Sequence, residues 1–193
     1  MTVQTRHFPA GAIGNSGEPS EPSAAPGAPQ LTSDFKAAFG GHPAGVAVIT
    51  ADSPTGPVGI TASSVASVSA EPPLLAFSLA AQSGSAAALA AAQTVVVHLL
   101  TTADLELAQI FADSRSERFT GSMDWTRLPG GEPLLSHNGF ALRCKILSRT
   151  PAGGSLLLAA EVVEIITPEA AGGPLVYHSR SFHVLGGHSL LSR

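Results

Sequence analysis

A chain of 193 residues with 44% hydrophobic side chains is long enough for one domain with a sizeable core. Its formal net charge of -4, with only ten Lys and Arg and no basic run, argues against nucleic acid as a partner. The lone Cys144 excludes an internal disulfide, no Cys/His spacing of the zinc type occurs, and no run approaches the roughly 20 apolar residues of a membrane helix. The expectation is a soluble cytoplasmic protein with no metal and no membrane contact.

From Pro9 to Pro29 the chain is almost entirely Pro, Gly, Ala, Ser and Glu, which buries little apolar surface. Residues 1–30 are therefore expected to be a flexible tail and residues 31–193 the folded domain. A short helix should open the domain. Thr32 or Ser33 can cap it, Asp34 suits its positive end, Phe35 and Phe39 share one face, and Gly40, Gly41 and Pro43 stop it. Strand-like runs follow at 45–51, 58–64, 73–79, 94–100, 140–148, 155–166 and 174–185, the last with a break inside, and 52–57 reads as a hairpin turn. Two further segments read as helices: the Ala-rich 85–92, and 102–111, where Thr102 and Glu106 make an imperfect capping pair that leaves Asp104 and Glu106 on an exposed face. Strands outnumber helices and do not alternate with them, which favours a mainly β, antiparallel barrel over a doubly wound sheet. The Gly-rich signatures of Rossmann and P-loop folds are missing.

Between the apolar runs 46–49 and 74–79 the chain places five hydroxyls, on Thr61, Ser63, Ser64, Ser67 and Ser69, and closes with Glu71-Pro72-Pro73. So many small donors suit a backbone laid against a phosphate, and an edge strand facing solvent has the same composition. Further on, Gln82-Ser83-Gly84-Ser85 opens the Ala-rich helix, which makes it either an ordinary N-cap or a helix end able to bind phosphate through its N–H groups.

The run Gly59-Ile60-Thr61-Ala62-Ser63-Ser64, then Ser67-Val68-Ser69 and Pro72-Pro73, preceded by His42-Pro43-Ala44-Gly45-Val46, resembles the flavin reductase-like family. Its members are short FMN- or FAD-binding split barrels that serve as reductase components of two-component flavin monooxygenases. The likeness extends over about residues 32–186. It implies an FMN-binding split β-barrel with a few flanking helices, and a homodimer with the flavin at the subunit interface. The implied reaction is reduction of FMN or FAD by NADH or NADPH, supplying a partner monooxygenase. Pro43, Ala44, Thr61, Ala62, Ser63, Ser64 and Ser78 would hold the flavin, with Ser83, Ser85 and Arg118 completing an anion site. Ser155, His178 and Arg180 would border the nicotinamide, and no residue is assigned as catalytic.

Several details depart from the family or leave two readings. Val95 to Leu100, Leu107-Ala108, Phe111-Ala112 and Arg118-Phe119 are similar to the family's strand, helix and Arg-Phe sequence, but an Asn usually stands where His98 does. A histidine between apolar strand residues reads as a hydrogen-bonded core residue. Arg118 either neutralises phosphate or pairs with Glu117 or Asp113. Pro151-Ala152-Gly153-Gly154-Ser155-Leu156 looks like the family's Gly-Asp-His strand entrance, with Gly154 and Ser155 in place of the acid and the His. A serine could still orient the carboxamide, so the reductase reading stands. Its alternative is a split barrel that binds flavin, haem or deazaflavin without NAD(P)H activity. Pro174-Leu175-Val176-Tyr177 and Arg180-Ser181-Phe182 resemble the family's closing segment. If that segment is extended, His178, Arg180 and Phe182 share one face, and Tyr177 and His183 the other. Cys144, between Arg143 and Lys145 in a strand run, reads as structural.

Overall fold

The computed structural model describes residues 28–80, 84–169 and 172–191. Its contacts divide it into a short unit, residues 1–36, and a main unit, residues 37–193. What is described of the short unit is the first part of helix α1, Ala28–Gly40. The helix begins ahead of the expected cap at Thr32 or Ser33. Pro29 fits a first turn whose N–H needs no partner, and Gln30 donates to Asp34 at 2.8 Å one turn further on. Of the expected tail, residues 1–27 lie outside the described residues.

The main unit is mainly β. Its strands are β1 (Ala44–Gly45), β2 (Ala47–Ser53), β3 (Gly56–Ala62), β4 (Ala66–Ala70), β5 (Pro73–Leu79) and β6 (Thr94–Leu99). After these come β7 (Trp125–Arg127), β8 (Pro133–Leu135), β9 (Ala141–Ala152), β10 (Ser155–Ile166), β11 (Leu175–His178) and β12 (Ser181–Val184). Helix α2 (Gly84–Ala91) precedes β6, and α3 (Leu105–Ala112) follows it. Seven strands form one antiparallel sheet in the order β3-β2-β6-β9-β10-β5-β4, and a small second sheet has the order β1-β11-β12.

Strand periodicity explains the core. On β2, Ala47, Ile49 and Ala51 enter one cluster with Phe77, Leu79, Leu89, Val95 and Leu158, while Val48, with Val46 just ahead of the strand, enters a second with Phe111, Leu135 and Leu175. β2 is buried on both faces, which is why it reads as an unbroken apolar run. The run expected at 58–64 stops at Ala62; residues 63–65 are an unpaired link, and β4 takes the sheet edge with an irregularity between Ser67 and Ser69.

Two expectations are corrected. The cap before α3 is Thr101 with Asp104, not Thr102 with Glu106: the Thr101 N–H and hydroxyl both donate to Asp104 Oδ2, at 2.8 and 2.7 Å. Asp104 also takes Asn138 N–H and Nδ2, so it is buried and not on an exposed helix face. Burial, the largest influence on this carboxyl, pushes its pKa up, but the hydrogen bonds from Thr101 and Asn138 together hold it below the usual value. The second correction concerns 177–183. The chain reverses at Ser179-Arg180, so Tyr177 pairs with Phe182 across the hairpin and their rings meet edge-on at 5.2 Å. His178 and His183 meet on the opposite face, with ring centroids 5.5 Å apart.

Candidate functional site

Gly59 brings α3 onto β3. A Cβ at this position would lie 2.6 Å from Phe111 Cε1, so a side chain cannot be added without displacing the ring. Two residues on, the Thr61 hydroxyl donates to the Ala108 carbonyl of α3 at 2.7 Å. Ser64 stands in for a missing strand partner of β5, its hydroxyl accepting from Ser78 N–H at 3.0 Å and donating to the Ser78 carbonyl at 3.2 Å. A hydroxyl has one proton to donate, so Thr61 and Ser64 are both committed to the fold. Ser63, exposed between them, makes no hydrogen bond among the described residues.

Arg118 closes the same corner from outside. Its Nη1 donates to the Gly59 carbonyl at 2.8 Å and to the Ser85 hydroxyl at 3.3 Å, and its Nη2 to the Asp113 carbonyl at 2.7 Å. The guanidinium stands over the Phe111 ring. It therefore ties the edge of β3 to both helices. Its link to Asp113 is through the backbone, since that carboxylate is taken by Arg115 at 3.3 Å. Burial lowers the Arg118 pKa, against an opposing pull from Asp113.

His98 is a core residue. Its Nδ1 lies 3.1 Å from the Val48 carbonyl and its Nε2 accepts from Leu135 N–H at 3.1 Å. A carbonyl only accepts and an amide N–H only donates, so the ring is neutral with its proton on Nδ1. Burial first, then the neighbouring His137, lowers its pKa from 6.5 to about 3. Cys144 is equally inert, fully buried in β9 with its thiol pushed up to about 12 by burial.

Beyond the 63–65 link lies a groove of about 710 Å³. Pro43, Ala44 and Gly45 form one wall, Ser63, Ser64 and Ser78 another, and Tyr177 to Arg180 a third. A second cavity of about 320 Å³, lined by Val46, Thr61, Ala112 and Phe182, shares Ser63, Tyr177 and Arg180 with the first. The shared wall is the β11–β12 hairpin. His178 pairs with Ser181, leaving Ser179-Arg180 as a two-residue turn, and both residues have positive φ, 49° and 64°. That is the pattern of a type I′ turn, where Asn-Gly is the usual choice, and each side chain held there costs about 1 kcal/mol or more. The Ser179 N–H donates to the Gly40 carbonyl at 2.9 Å and moors the turn to the end of α1. The cleft thus offers an exposed aromatic face, an unbonded hydroxyl and one permanent cation.

A sequence model of the flavin reductase like domain matches residues 39–186. The chain belongs to this family. It is 42% identical over 153 residues to an NADH:FMN oxidoreductase of Rhodococcus qingshengii, a match covering 78% of this chain and 80% of the relative. It superposes on a flavin reductase domain protein from Arthrobacter sp. FB24 with a TM-score of 0.75 and 37% identity, covering 80% of this chain and 96% of that one. The styrene monooxygenase flavin reductase of Pseudomonas putida S12 matches with a TM-score of 0.70 and 25% identity, covering 79% and 97% of the two chains. The antiparallel, mainly β architecture is accordingly the split barrel of the flavin reductases.

In this flavin reductase fold the residues expected around the cofactor separate into groups. Pro43, Ala44, Ser63, Ser64 and Ser78 meet in the larger groove together with His178 and Arg180, and Thr61 lines the smaller cavity. Ala62 faces the core. Ser85 and Arg118 meet each other but line neither cavity, and Ser83 lies outside the described residues. Ser155 opens β10 after the Gly153-Gly154 turn and lines neither cavity. Tyr177 was not among the expected site residues. Its pairing with Ala44 across β1 and β11 brings it there, and the break expected inside 174–185 has no residue signal that places the turn at Ser179-Arg180.

Proposed function

We propose that the protein reduces FMN, or FAD, with NADH or NADPH and supplies the reduced flavin to a separate monooxygenase, acting as a cytoplasmic homodimer. The observation that carries this reading is the convergence of Pro43-Ala44, Ser63-Ser64, Ser78 and His178 to Arg180 in one groove. Its volume, about 710 Å³, falls in the range of small-molecule sites. The relative's name, NADH:FMN oxidoreductase, favours that nucleotide and that flavin, and the styrene monooxygenase reductase favours an oxygenase partner. Exposed Leu157, Val163 and Ile165 on β10 supply apolar surface for a second copy.

Flavin and nicotinamide carry the hydride chemistry themselves when bound. The chain binds and orients them. The unpaired 63–65 backbone gives donors to the polar edge of a flat ring, and Tyr177 gives that ring an exposed aromatic face. Ser85, fixed by Arg118 in the first turn of α2, suits an anion. His178 and Arg180 close the nicotinamide side. Purified protein should consume NADH or NADPH when flavin is added, followed by loss of nicotinamide absorbance. No oxidation with either nucleotide and either flavin would remove the proposal.

A second reading is flavin binding without reductase activity. It is favoured by Ser155, which replaces the family's His and lines neither cavity of its own chain. Nicotinamide oxidation that is absent from the natural protein and appears in Ser155→His would support it. The absorbance spectrum of the purified protein distinguishes a bound flavin from haem or deazaflavin.

A further inference from the structure

Arg180 occupies a backbone position that glycine would fill at lower cost, the second of two consecutive residues with positive φ. Every other arginine among the described residues has an internal partner. Arg115 pairs with Asp113, Arg127 with Asp52 and Arg143 with Glu132, while Arg118 and Arg149 donate to backbone carbonyls. Arg180 has no hydrogen bond or ion pair among the described residues. It stands instead on the wall shared by the two cavities, and Ser63, with its unbonded hydroxyl, lines both cavities too. No carboxylate among the described residues lines either cavity. A permanent cation and an idle hydroxyl donor therefore face the same space with nothing to neutralise them.

We propose that Arg180, supported by Ser63, clamps a phosphate ester of the bound cofactor and makes the protein select phosphorylated over dephosphorylated forms. The proposal rests on the reading of the groove as a flavin and nicotinamide site. A guanidinium presents several N–H donors to phosphate oxygens in a fixed plane, and the mooring of Ser179 to Gly40 holds the turn that carries it. The phosphate belongs either to the flavin or to the dinucleotide, and the same variants tell which.

The test compares the full chain with Arg180→Gly and Arg180→Lys, using flavin fluorescence for FMN and riboflavin and steady-state kinetics for NADH and dihydronicotinamide riboside. Arg180→Gly should weaken FMN binding roughly tenfold or more and leave riboflavin binding nearly unchanged. The same substitution should raise the unfolding midpoint by roughly 2–4 °C, since glycine suits the turn. Arg180→Lys should keep part of the preference for FMN. If the dinucleotide supplies the phosphate, Arg180→Gly instead raises KM for NADH and not for the riboside; either pattern supports the clamp. Unchanged preferences for both FMN over riboflavin and NADH over the riboside, in a folded Arg180→Gly protein, overturn it. A natural protein that binds FMN without oxidising NADH would fail the reductase reading and leave the binding comparison intact.

Discussion

Arg118 and Arg180 are both expected beside the cofactor from the sequence, and their surroundings are opposite. Arg118 donates to two backbone carbonyls and a serine hydroxyl and holds β3 against α2 and α3. Arg180 has no internal partner among the described residues and lines two cavities. The contrast extends to other polar residues. Like Arg118, the polar groups of Thr61, His98, Thr101 and Asp104 are bonded inside the protein, whereas along the 63–65 link and the hairpin turn Ser63 and Arg180 are not. Polar residues already engaged by the fold govern stability, and those the fold leaves unengaged are available to a ligand.

The largest effect should come from the buried side of this contrast, through pH. The His98 pKa is lowered to about 3 in the folded protein, so the unfolded chain binds the proton more readily. Stability is complete above the ordinary value of 6.5 and falls as pH drops toward about 3. The slope is roughly 1.4 kcal/mol per pH unit, which accumulates to a loss on the order of 5 kcal/mol across the window. Urea unfolding at a series of pH values reads it directly. His98→Asn keeps an amide donor and acceptor that do not titrate, and should flatten the slope. An unchanged slope in that variant would place the acid sensitivity elsewhere.

Next in size is Arg118→Ala, which removes the guanidinium donor to the Gly59 carbonyl and leaves the Asp113 carbonyl with the Ser116 N–H alone. A loss of about 3 kcal/mol is expected from charged hydrogen bonds of this kind, read as a lower denaturant midpoint at constant slope. If the variant kept its stability and lost flavin affinity instead, Arg118 would move to the ligand side of the comparison.

The same division explains what could be read from sequence. Runs 73–79 and 155–166 coincide with β5 and β10 because turn residues bound each apolar stretch. The run expected at 58–64 overshoots the end of β3 because Ser63 and Ser64 have strand-like neighbours, and only the arrival of Ser78 shows that Ser64 serves β5 as a cap. β4 stayed hidden within the hydroxyl segment, since an edge strand with few apolar residues has little periodic signal. The reversal at Ser179-Arg180 has neither Gly nor Asn to announce it, so the break expected inside 174–185 has no position, and the facing expected of Tyr177 and Phe182 holds only for an extended segment. The cluster of hydroxyls was visible in one dimension. Which of them stays unbonded depends on α3 and β5 packing against it, and no local pattern encodes that.

The finest test sets two hydroxyls a residue apart against each other. Thr61→Val removes the donor to Ala108 and keeps the β-branched shape, so it should lower stability by about 1 kcal/mol. It should leave flavin binding nearly unchanged, because that proton was never available to a ligand. Ser63→Ala removes a hydroxyl with no internal bond among the described residues, so the unfolding midpoint should hold while FMN affinity falls by roughly 3–10-fold. Thermal melts and flavin titrations on the two variants give four numbers, and the expected signature is a crossed pattern. If both variants lost affinity and neither lost stability, the Thr61 hydroxyl would exchange its bond to α3 for the ligand on binding, and the line between structural and functional hydroxyls would fall between Thr61 and the core, not between Thr61 and Ser63.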